Sequence, residues 1–153
     1  MFGALKKALT AGFSGVTREL NASYGENTDF LEAVCAAGAL VAFADGEIEP
    51  EERTAIISLI QKHPSLGKLY STDVIEKTAA SMFKRAADAS GRQALARELD
   101  DIKSRPDAAR MAEDIYLVAL DIANADGDLE QEEQAVLAKI ANRLGVDASK
   151  FDF

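Results

Sequence analysis

One nine-residue segment occurs twice in this chain, and it constrains the fold more than any other feature. Ala44-Asp45-Gly46-Glu47-Ile48-Glu49-Pro50-Glu51-Glu52 returns as Ala125-Asp126-Gly127-Asp128-Leu129-Glu130-Gln131-Glu132-Glu133, at a constant offset of 81 residues. The frame extends outward on both sides: Val34 matches Ile115, Val41 matches Ile122, Ala42 matches Ala123, Ile56 matches Leu137 and Leu59 matches Ile140. Apolar positions stay in phase through the flanking segments as well as the loop, which is the signature of a duplicated helix-turn-helix unit. Such a unit has one apolar stripe per helix and must bury it against a partner, so the chain is read as two related helical hairpins packed into one all-α bundle.

The remaining segments fit that reading. Prolines stand only at positions 50, 64 and 106, where helices begin or stop, and no run of β-branched alternation or Asn-Gly hairpin turn appears. Phe2, Leu5, Leu9, Phe13, Val16 and Leu20 form one stripe at three- and four-residue steps, which predicts an amphipathic first helix. Gly25 and Asn27 mark a turn, and a second helix follows from Thr28 or Asp29 to about Asp45. A third runs from Pro50 to His63 and is ended by Pro64, and a fourth starts near Ser71 and is broken at Ser90-Gly91. A fifth holds Leu95, Leu99 and Ile102, a sixth begins near Pro106, and a seventh spans Glu130 to Leu144 with Gly145 as its stop. A short last turn is expected to lay Phe151 and Phe153 over the edge of the core. The expected organisation is a single domain over 1–153, comprising the N-terminal helix 1–22, a first repeat 29–63, connecting helices 71–104 and a second repeat 106–145.

Composition narrows the function. With 153 residues and 48% hydrophobic content, the chain fills one core of ordinary size. A net charge of −9 repels polyanions, so nucleic acid is not an expected partner; cations and basic surfaces are. The one cysteine, Cys35, lies in an apolar run and closes no intramolecular disulfide, which points to a reducing cytoplasm. The apolar stretch from Ala33 to Ala44 is too short to span a bilayer, and Arg18 and Glu19 interrupt any signal-peptide core, so neither a membrane span nor a cleaved leader is expected.

The repeated loop supports two readings. In the first, Gly46 and Gly127 take the left-handed conformation that ends a helix, and Ile48 and Leu129 anchor the turn on the core. Glu49 and Glu130 then fall at the N-cap and Glu52 and Glu133 at the third helical position, where a carboxylate meets first-turn amides. In the second, Asp45, Glu52, Asp126 and Glu133 are ligands of a divalent cation, since the pattern reproduces the second half of an EF-hand loop. The first half is missing, because Val41 and Phe43, and Ile122 and Asn124, stand where oxygen ligands belong. A site shared between two antiparallel repeats would instead pool the four carboxylates, hard oxygen donors suited to Ca²⁺, Mg²⁺ or Mn²⁺. Glu32 and Glu113 match each other in the repeat frame and are added as further candidate ligands. No zinc spacing exists with one cysteine and one histidine.

Catalytic groups are not evident. His63, the one histidine, is expected to face solvent at a helix end, and no nucleophile triad, phosphate-binding loop or dinucleotide fingerprint appears, so the chain is read as a non-enzyme.

The paired Ala-Asp-Gly units, the opening Met1-Phe2-Gly3-Ala4-Leu5-Lys6-Lys7-Ala8-Leu9-Thr10 and the ending Leu144-Gly145-Val146-Asp147-Ala148-Ser149-Lys150-Phe151 resemble the tellurite-resistance TerB family over nearly the whole length. That resemblance implies a compact bundle of about seven helices and a role in bacterial tellurite resistance and stress response without known catalysis. It also implies work at the inner face of the cytoplasmic membrane with an integral membrane Ter protein (TerC-like) and other Ter proteins. The family's proposed metal-binding motif falls on Asp45, Gly46 and Glu52 in the first unit and on Asp126, Gly127 and Glu133 in the second.

Overall fold

The computed structural model describes residues 20, 22–44, 46, 48–125 and 129–151. The expected N-terminal helix, Asp45, Asp126, Gly127 and Phe153 therefore lie outside the described residues. Among those described there are seven α-helices: α1 (Asp29–Ala42), α2 (Pro50–Gln61), α3 (Pro64–Leu69), α4 (Thr72–Arg85), α5 (Ala89–Glu98), α6 (Ala108–Asn124) and α7 (Gln131–Leu144). Three single 3-10 turns accompany them, η1 (Ala22–Glu26), η2 (Asp101–Ser104) and η3 (Ala148–Phe151). No strand occurs among the described residues, in keeping with the all-α reading.

Helix α1 is the axis of the bundle. Ala33, Ala36, Ala37, Gly38, Ala39 and Ala42 keep its girth small, so α4, α5, α6 and α7 all pack against it, and every residue from Ala33 to Ala39 is buried. Close approach is visible at Gly38, where an added Cβ would stand 3.3 Å from Ile60 Cδ1 and 3.9 Å from Ile122 Cδ1. Helix α6 lies beside α1 in the same sense rather than antiparallel to it. Arg105, just before α6, reaches Asp29 at the start of α1 (3.6 Å), and Ile122 late in α6 meets Gly38 late in α1. Both repeated turns thus leave from the same end of this helix pair. Helix α2 then packs on α4, whereas α7 packs on α6 and α1.

The opposite end is fastened by polar contacts. Tyr24 in η1 stacks on Phe30 with ring centroids 4.5 Å apart and donates its hydroxyl to Asp114 Oδ2 at 2.6 Å. Tyr70, following α3, donates to the Tyr24 carbonyl at 2.6 Å, and burial pushes its hydroxyl up to about 12. Asp114 is buried but also faces Arg110 at 3.5 Å, so its charge is compensated.

Three local expectations change. Pro64 does not simply end α2; it opens α3 at the first helical position, where its missing N–H costs nothing. His63 is therefore not a solvent-facing residue: it is 1% exposed, with Nε2 at 3.3 Å from Asp121 Oδ2 on α6. Ser90-Gly91 does not break α4 either. Asp88 caps α5, accepting from the Gly91 amide at 2.7 Å and the Ser90 hydroxyl at 3.0 Å, which holds its carboxyl below the usual range.

Gly91 is required by packing. A Cβ built there would sit 1.7 Å from the Arg85 carbonyl oxygen, an impossible distance that only backbone movement relieves. Helix propensity alone favours Gly91→Ala by about 1 kcal/mol. The clash reverses that sign, and Gly91→Ala is expected to cost roughly 2 kcal/mol or more, lowering Tm by about 4 °C or more in thermal melts.

A second tie joins η2 to α7. Arg143 grips the Asp100 carboxylate with Nε at 3.2 Å and Nη2 at 2.9 Å, and Lys103 Nζ lies 3.3 Å from the same group. The Arg143 hydrogen bond is the main reason that the Asp100 carboxyl titrates below its usual range. The folded state then favours the ionised form, so stability is present above the unfolded pKa of about 3.9 and is lost as pH falls below it. Because both side chains are over one-third exposed or close to it, the worth is small. Asp100→Asn is expected to cost under about 1 kcal/mol at pH 7, with the difference from the parent shrinking toward pH 3 in urea titrations.

Candidate acidic turns

The first turn begins where α1 ends. Phe43 and Ala44 donate back to the Ala39 and Val41 carbonyls, and Gly46 N–H donates to Phe43 O at 2.9 Å. Gly46 has φ of 92°, the left-handed region expected of it, and open space around its Cα. Ile48 is packed against the core, as is Leu129 in the second turn, so both apolar anchors hold their expected places.

Each turn runs into a capping box. The Glu49 amide donates to Glu52 Oε1 at 3.3 Å, and the Glu130 amide donates to Glu133 Oε1 at 3.2 Å. In both, the N-cap carboxylate turns back toward the amide of the third helical residue. The two boxes differ in surroundings. Glu52 is half-buried, whereas Glu133 is 2% exposed. Burial of an ionised carboxylate is costly without compensation, so Glu133 is the more demanding member of the pair.

The other candidate ligands lie elsewhere. Glu32, in the first turn of α1, accepts from the Thr28 hydroxyl, and Glu113 receives Lys150 Nζ at 2.6 Å. At 1.5 Å per helical residue, each stands about 15 Å from the turn that follows its helix. Among the described residues no three Asp, Glu, His or Cys side chains come together as a metal-holding group. Glu52 and Glu133 supply the hard oxygen chemistry that Ca²⁺, Mg²⁺ or Mn²⁺ takes, and each arrives at its turn by the same helix-start geometry.

Sequence reasoning missed His63 and Asp121 as an inter-helix pair; only the burial that follows from α3 reveals it. Cys35 is fully buried, and burial raises its thiol far above the ordinary range, so it is a packing residue rather than a reactive thiol. Among the described residues no helix is long and apolar enough to cross a membrane.

An all-α bundle that sends two acidic, capping-box turns from one end of a parallel helix pair defines the class. The family model described as "Tellurite resistance protein TerB" matches residues 31–153, and the chain belongs to that family. No curated protein and no solved structure matches the chain.

The capping geometry makes a graded forecast. Glu52→Ala should cost roughly 0.5–1 kcal/mol, the usual worth of an exposed cap. Glu133→Ala should cost about twice that or more, because it also leaves buried polar groups unsatisfied. Urea unfolding of the two variants at pH 7 measures the difference, and equal losses would show that burial does not set these carboxylates apart.

Proposed function

We propose that this chain is a non-enzymatic tellurite-resistance and stress-response protein that binds a divalent cation through its two acidic turns and acts in a membrane-associated Ter complex. The supporting observation is the paired turn. Each one follows an Asp-Gly step with an apolar anchor and then brings a glutamate back to the turn at the third position of the next helix. Asp45 and Glu52 would serve one turn and Asp126 and Glu133 the other, with Ca²⁺, Mg²⁺ or Mn²⁺ as the fitting ions. The charge of −9 favours such ions electrostatically. Family membership supports the resistance role, and an integral membrane Ter protein of TerC-like type is the proposed partner.

A second reading is favoured by the capping boxes themselves. Glu52 and Glu133 already accept backbone amides, so the loop acids would serve as helix caps in a protein–protein interaction module that takes no metal.

Calorimetric titration of chelator-treated protein with Ca²⁺, Mg²⁺ and Mn²⁺ separates the two. The cation reading expects saturable heats that vanish in the Asp45→Asn, Asp126→Asn double variant while its melting curve without metal is retained. Equal heats in both proteins, or none in either, would leave the capping role standing alone.

A further inference from the structure

The most unusual surface of this acidic protein is a basic cleft. It has a volume of about 770 Å³ and lies between the end of α1, α5, η2 and α7. Arg92, Lys103, Lys139 and Arg143 line it against one carboxylate, Asp100, in a chain whose net charge is −9. The charge of the lining side chains is therefore opposite in sign to that of the whole chain. Chance scatter of surface charge does not easily place four cations around one hollow in such a chain.

The cations are held, not merely nearby. Arg143 and Lys103 are drawn together by Asp100, and Arg92 donates Nη1 to the Ala86 carbonyl at 2.9 Å, which restrains its guanidinium. Lys139 has no carboxylate partner among the described residues. The floor is apolar: Leu40, Phe43 and Val136 are each partly buried against the core. Charged groups beside apolar lining, in a hollow within the size range of small-ligand sites, suit a molecule with an anionic head and one apolar body.

The geometry points to this cleft as a binding site for a soluble organic anion of that kind, such as an alkyl or aryl phosphate, rather than for metal or nucleic acid. The head would meet Lys139, Lys103 and Arg143, and the body would lie on Phe43 and Val136. A volume of about 770 Å³ fits one small molecule. Phe43 and Ala44, which form one wall, lead directly into the first acidic turn, so the two sites share a strand of backbone.

The test uses the full chain with 1-anilinonaphthalene-8-sulfonate as a fluorescent anion and decyl phosphate as competitor. Saturable one-to-one binding is expected, displaced by decyl phosphate. Lys139→Glu should weaken both ligands about tenfold, the cost of one charge-assisted contact. Lys77→Glu, an exposed residue on α4 with the same change of charge, should leave both affinities as they were. Circular dichroism melts identical to the parent's exclude unfolding of either variant. Equal affinities in the two variants would overturn the proposal. So would displacement by phosphatidylglycerol vesicles without displacement by decyl phosphate, which would make the surface a membrane contact.

Discussion

A helix surrounded by four others can be no wider than its narrowest neighbour allows. Interaxial distances of 8–10 Å depend on the side chains at the contact, and α1, rich in buried alanine with one buried glycine, packs against α4, α5, α6 and α7. Its larger residues, Phe30, Leu31, Val34 and Val41, are buried as well. Interiors are packed like organic crystals, so a methyl group added to Gly38 has to be absorbed by a small shift of Ile60 Cδ1.

The acidic turns inherit their geometry from the same constraint. Because α1 and α6 run side by side in one sense, the turns that follow them emerge together, while α2 and α7 then diverge to different neighbours. The glutamates that could close around a cation are also the groups that begin these helices. Capping is worth about 1 kcal/mol and needs no ligand, so these glutamates have a role at the helix starts on their own account. The basic cleft is bordered by Phe43 and Ala44, the residues that lead into the first of these turns.

Much of this fold was legible in the residues. Apolar periodicity and the absence of strand signals gave the helical class, Gly145 with φ of 75° ended α7 where expected, and Ile48 and Leu129 anchored the turns. What escaped were features decided by contact rather than by local preference. Gly91 looked like a break because glycine weakens a helix, yet it is kept for the carbonyl of Arg85 that no neighbouring residue announces. Pro64 looked like a stop because proline cannot continue a helix, although it starts one equally well. His63 followed it into the interior, where its partner lies 58 positions away. At the turns, the capping role of Glu52 and Glu133 was readable from spacing alone, but the burial that distinguishes them depends on which helix covers each turn.

The burial of α1 also bears on how such a chain is made. Its most extensive neighbours are α4 and α6, and α6 begins 66 residues after α1 ends. A ribosome delivering residues in order presents this alanine-rich, apolar helix to the cell long before its sheath exists. Until α6 and α7 emerge, it must be shielded by transient contacts or by a chaperone. Assembly is thus tied to the arrival of α6 and α7, and products truncated before them would leave the face of α1 that those helices cover open to other chains.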